Sequence, residues 1–162
     1  MSLVDSETAR QLCDDAKHAL ARGEVDSAIA RIQQALIFHP HSADAKMLLG
    51  IAYAQKGMMD EALDALEEAV SVSEKNPVVH FNYGGMLMKV GRVLEAVTQF
   101  EEALRINPGY DKAKTALETA KKQWDEQMYM HPSTSRPHVP AQHKEEAASA
   151  KHGGWFGWGK KK

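Results

Sequence analysis

Apolar residues along this chain recur three and four positions apart, in stretches that stop at a glycine and then resume. Between Ala45 and Lys56, Leu49, Gly50 and Tyr53 share one helical face, and from Asp60 to Val72 the same spacing joins Ala62, Leu63, Leu66, Ala69 and Val70. Gly57 lies between them and is predicted to end the first helix in a left-handed turn. The pattern is written three times with a step of 34 residues: Gly23, Gly57 and Gly91 are in register, as are Gly50 and Gly84. Ala28, Ala62 and Ala96 repeat in the same way, as do Ala35, Ala69 and Ala103. Ile32, Leu66 and Phe100 fill one bulky position in the three copies, and Pro40 and Pro108 close the first and third. A period of this length predicts stacked helix pairs, none of which can bury its apolar face alone.

The residues between the stripes supply starts, stops and close contacts. Asn76 followed by Pro77 reads as an N-cap and a first-turn proline, and Ser42 as the cap one repeat earlier. Gly50 or Gly84 on a first helix, facing Ala62 and Ala69 or their counterparts on a second, lets two backbones approach closely. Leu66 or Phe100 then fills the space beside them.

Gly50, Tyr53, Ala62, Leu66 and Ala69 together resemble a tetratricopeptide repeat, as do Gly84, Ala96, Phe100, Ala103 and Pro108. Ala16, Gly23, Ala28, Ile32, Ala35 and Pro40 form a weaker first copy, with Asp15 where its sisters have Leu49 and Tyr83 and Ala19 in place of Tyr53. A more polar first unit suits the end of an array. The resemblance places repeats at 9–42, 43–76 and 77–110 and a solvating helix at 111–127. These make up a domain over 1–128, followed by a flexible tail at 129–162. It implies an all-α fold, a right-handed α-solenoid of antiparallel helix pairs, with a concave groove lined by the first helix of each pair.

Leu49, Gly50 and Tyr53 define the packing side of their helix, so Met47, Ile51 and Ala54 are expected on the opposite side. The third copy holds Phe81, Gly85 and Met88 at those places, and the first holds Cys13 and Leu20. The expected partner groove is therefore Leu20, Met47, Ile51, Phe81 and Met88. Gln55, Asn82, Lys89, Lys17 and Lys122 are nearby polar groups able to orient a ligand backbone. Methionine suits adaptable recognition, and a contiguous apolar patch usually marks a binding surface. Some members of the family clamp the two carboxylates of an acidic peptide end. With Met47, Leu48 and Ile51 in the middle repeat, this sequence favours an apolar or amphipathic segment instead. The competing reading assigns the same stripe to the core.

Composition narrows the classes that remain. The chain of 162 residues carries a net charge of −2, but residues 1–128 hold 14 basic and 20 acidic side chains, whereas residues 129–162 hold six and two. That balance argues against a nucleic-acid partner. Cys13 is the single cysteine, which excludes an internal disulfide and fits a reducing compartment. No signal peptide or membrane-spanning run is evident, so the expected location is cytoplasmic, with peripheral attachment to a membrane as the alternative. His18, His39, His41 and His80 lack zinc-ligand spacing, and Glu67-Glu68 and Glu101-Glu102 read as a solvated helix face. No enzyme, metal or cofactor is expected.

The last ten residues stand outside the repeat. Trp155, Phe156 and Trp158 lie among glycines, and Lys160, Lys161 and Lys162 follow. Such a segment suits weak contact with an anionic membrane surface, a short motif read by another protein, or return to the groove of its own or a neighbouring chain. It can also have no partner. Three functions thus remain open from sequence: a protein- or peptide-binding adaptor, a membrane-attached, self-associating scaffold anchored by the tail, and a chaperone for an apolar client.

Overall fold

The computed structural model describes residues 3–130, with side chains from Asp5 onward. Seven α-helices follow one another: α1 Leu3–Ala21, α2 Val25–Phe38, α3 Ala43–Lys56, α4 Met59–Val72, α5 Pro77–Lys89, α6 Val93–Ile106 and α7 Asp111–Met130. No strand occurs among the described residues. Helices pack in the pairs α1 with α2, α3 with α4, and α5 with α6. Successive pairs meet through α2 with α3 and α4 with α5, and the first helices touch one another, α1 to α3 and α3 to α5. This is the all-α solenoid that the 34-residue period predicts.

The turn inside each pair is one backbone device made three times. Gly23, Gly57 and Gly91 have φ of 77°, 83° and 81°, a conformation that costs glycine little and other residues more. One residue on, the amides of Glu24, Met58 and Arg92 each donate back to the carbonyls of Ala19, Tyr53 and Leu87 at 2.9 Å. This closes the first helix, and the second then begins without a side-chain cap. Between pairs the caps are side chains, as expected. Ser42 Oγ accepts from the Ala45 amide at 3.2 Å, and Asn76 Oδ1 from the Val78 amide at 3.0 Å.

The repeated small and bulky positions form the interior. Ala28, Ala35, Ala62, Ala69, Ala96 and Ala103 are fully buried, and Ile32, Leu66 and Phe100 head the largest buried side chains. Each of these three contributes on the order of 1.5–3 kcal/mol by leaving water. The core falls into two clusters, one around Ile32 with Leu48 and Ala52, the other around Leu66, Leu87 and Phe100. Ile51 packs against both.

Two boundaries differ from the expected ones. Helix α1 starts at Leu3, ahead of the repeat boundary at residue 9, and α7 runs to Met130 rather than Gln127. Residues 123–130 contain neither glycine nor proline, so nothing local stops the helix before Pro132. The chain divides into two units after Trp124. Met128, Tyr129 and Met130 are exposed on the start of the second.

Candidate functional site

First helices are more enclosed than a two-sided reading allows. In α3, Ala45, Met47, Leu48, Gly50 and Ala52 are all buried, because α1, α2, α4 and α5 pack around it. Met47 is 8% exposed and belongs to the second core cluster. The Asn82 amide nitrogen, reaching from α5, lies 3.4 Å from its sulfur and also donates to the Val78 carbonyl at 2.8 Å. Leu20, likewise 8% exposed, belongs to the first cluster. The structure therefore corrects these two positions from groove lining to core. Helical spacing shows which side of one helix an intrahelical partner covers, but not how closely the next first helix approaches.

The remaining groove candidates are distributed unequally. Ile51, Phe81 and Met88 are half-buried, and Gln55 and Lys89 are exposed. The Phe81 ring stands 5.9 Å from the Phe100 ring and 5.2 Å from the Tyr110 ring, tilted 47° and 51°. It ties α5 to α6 and to the turn before α7, so Phe81 carries stability as well as surface. Lys17 is held by Asp14 at 2.9 Å, and that hydrogen bond raises its pKa above the ordinary lysine value. Trp155, Phe156, Trp158, Lys160, Lys161 and Lys162 lie outside the described residues.

Several clefts mark the surface of the first unit. One of about 480 Å³ opens between α5, α6 and α7. Its floor is Met88, the Phe100 ring and Ala116, and its rim is Gly85, Lys112 and the two threonines 115 and 119. A Cβ placed on Gly85 would meet no atom within 4 Å. In the middle repeat the same register position is Ile51, so the cleft exists partly because the third repeat omits a side chain there. The threonine hydroxyls turn back on their own helix: Thr115 donates to the Asp111 carbonyl at 3.2 Å and Thr119 to the Thr115 carbonyl at 2.9 Å. Lys112 forms no ion pair among the described residues.

Of α7, the sequence pattern points only to Lys122 and misses the residues that line this cleft. Residues 112, 115, 116 and 119 follow helical spacing, but they are small or hydrophilic, and hydrophobic periodicity does not register such a stripe. The signal available in sequence was Gly85 itself, a residue without a side chain where its repeat partner carries isoleucine.

The second cleft, about 300 Å³, sets Leu36, Leu49 and Tyr53 beside Glu61, Asp64 and Glu68. Lys46 pairs with Glu68 at its edge. The third, about 200 Å³, is polar and lies between α1 and the turn before α3, with Cys13, Asp14, Lys17, His39 and Asp44 in its walls. Burial pushes the Cys13 thiol above its usual range, opposite to what an activated nucleophile requires. Among the described residues no group of three or more His, Cys, Asp or Glu side chains could hold a metal. No described helix is long and apolar enough to cross a membrane. Of the three clefts, only the one between α5, α6 and α7 is mainly apolar.

Comparison with known proteins agrees with this geometry. The tetratricopeptide-repeat family model matches residues 13–79 and 60–111. The TPR repeat-containing protein YpiA of Bacillus subtilis is 30% identical over 99 residues, covering 61% of this chain and 23% of that protein. The chain thus spans under a quarter of that relative's length. Among solved structures, the Sgt2 TPR domain from Aspergillus fumigatus is similar with a TM-score of 0.70 at 24% identity, over 82% of this chain and 89% of that one. The first TPR domain of Spaghetti (RPAP3), solved bound to an HSP90 peptide, gives 0.68 at 18% identity, over 74% and 95%. At those identities the two structural likenesses establish the fold.

Proposed function

This chain belongs to the tetratricopeptide-repeat family, and on that premise we propose that it is a non-enzymatic adaptor that binds an apolar or amphipathic peptide segment of a protein partner. The binding surface lies along the first helices of the second and third repeats, at Ile51, Phe81, Met88 and Lys89. The observation that carries this reading is the open apolar cleft over Met88 and Phe100, about 480 Å³ in volume. Pockets that hold ligands have this size and a mainly apolar lining. The peptide-bound Spaghetti domain shares the fold, which makes a peptide the natural class of ligand to test.

A random-peptide selection against the immobilised full-length chain tests the reading. Enriched sequences should carry apolar residues at helical or extended spacing, and Met88→Glu should abolish their binding without lowering helicity. Enrichment of purely polar sequences, or binding indifferent to Met88→Glu, would count against it.

The tail supports a second, weaker contact. Trp155, Phe156 and Trp158 with three terminal lysines have the composition of an interfacial anchor. Flotation with vesicles containing anionic lipid should be lost when both tryptophans become alanine. Equal flotation of the two proteins would remove the membrane from the account.

A further inference from the structure

The cleft between α5, α6 and α7 has features that name its occupant more closely than an apolar segment. This inference rests on the adaptor reading above. The floor is apolar and adaptable, lined by the flexible Met88 and the fully buried Phe100. Gly85 leaves the space that isoleucine fills at the same place in the middle repeat, and nothing stands within 4 Å of where its Cβ would be. At about 480 Å³ the space holds a large side chain rather than a few waters.

The rim decides polarity. Both threonine hydroxyls spend their protons on carbonyls of α7, so towards a ligand they can act only as acceptors. Lys112 is the only charged residue in the lining, and it pairs with no carboxylate among the described residues. Among the described residues the lining therefore holds one cationic donor outside any ion pair and no carboxylate.

We propose that this cleft is a single-residue anchor for an aromatic or long aliphatic side chain whose sequence neighbour is a carboxylate that meets Lys112. The chain's own tail fits this less well, because its aromatic residues are followed by three lysines. Lysines would meet Lys112 with like charge.

The test is an amide-shift titration of the full-length labelled protein with four blocked synthetic peptides. One has phenylalanine between two aspartates, the second replaces the aspartates with lysines, and the third replaces the phenylalanine with alanine. The fourth is the tail sequence 153–162. The aspartate–phenylalanine peptide should move the amides of Gly85, Thr115 and Thr119, and the second and third should not. Gly85→Ile should abolish those shifts while the melting temperature holds or rises, since the added side chain enters empty space. Lys112→Glu, an exposed change in the first turn of α7, should weaken binding roughly fivefold or more.

Equal response to the lysine-flanked or tail peptide overturns the charge assignment, and binding that survives Gly85→Ile overturns the anchor. If peptide shifts appear at Ile51 and Gln55 but not at Gly85, the groove stands and the anchor falls. If none of these amides responds to any peptide, both fall.

Discussion

Gly84 presses its backbone against the ring of Phe100 so closely that a Cβ there would fall 2.7 Å from Cε1 and 2.9 Å from Cδ1. Gly85, the next residue, has no atom within 4 Å of the same construction. Two adjacent glycines on one helix are therefore present for opposite reasons. Gly84→Ala should destabilise by about 1–2 kcal/mol, because overpacking outweighs the gain in helix propensity. Gly85→Ala should stabilise by about 0.5–1 kcal/mol. Urea denaturation of the two variants checks both signs, and adding Phe100→Leu should recover part of the loss at position 84.

Phe81 lies between Phe100 and Tyr110, at ring distances of 5.9 and 5.2 Å. Phe81→Ala should cost about 2–4 kcal/mol, the lost burial combining with two aromatic pairs. Tyr110→Phe should be close to neutral. A thermal melt in which Phe81→Ala is indistinguishable from the parent would show that the ring lies on the surface only for binding.

His80 is a buried polar side chain with work to do inside the third repeat. Its Nε2–H donates to the Glu74 carbonyl at 2.9 Å, and Nδ1, left as an acceptor, takes the Gln99 side-chain amide as donor at 2.8 Å. These bonds join α5 to the turn before it and to α6. His80→Ala leaves both partners unpaired and should cost about 1–3 kcal/mol, measured by chemical denaturation. His80→Leu should cost as much, since it fills the space without replacing either bond.

Burial raises the Cys13 thiol pKa. Alkylation proceeds through the thiolate, so iodoacetamide should modify Cys13 more slowly at neutral pH than it modifies a cysteine in a short peptide. The rate should climb in urea as α1 opens. An unfolded chain loses this proton at lower pH than the folded one. The group's contribution to stability is therefore intact below the ordinary thiol value and falls as pH rises from there towards the folded value. Alkylation at the free-peptide rate without denaturant would contradict the burial.

The repeat's own residues were legible because their constraint lies within one helix pair. Ala62 and Leu66 had to face Gly50 by spacing alone, and they do. Met47 and Leu20 were misplaced because what covers them comes from another pair: α5 approaches Met47 through Asn82, 35 residues away in sequence. Thr115 and Thr119 went unnoticed because hydrophobic periodicity gives no weight to hydroxyl residues. The cleft they help to form depends on a side chain absent from Gly85, which only a comparison between repeats could suggest.

Ile51 is the apolar side chain that packs against both core clusters. A stacked array unfolds as a chain of units, each coupled only to its neighbours. In such a chain the coupling across one junction decides whether opening spreads or halts. With Ile51 shortened, α1 and α2 could exchange their amide hydrogens through an opening that leaves Phe100 and its surroundings closed. How far opening spreads from α1 and α2 into the repeats beyond α3 then depends in part on the packing of this isoleucine.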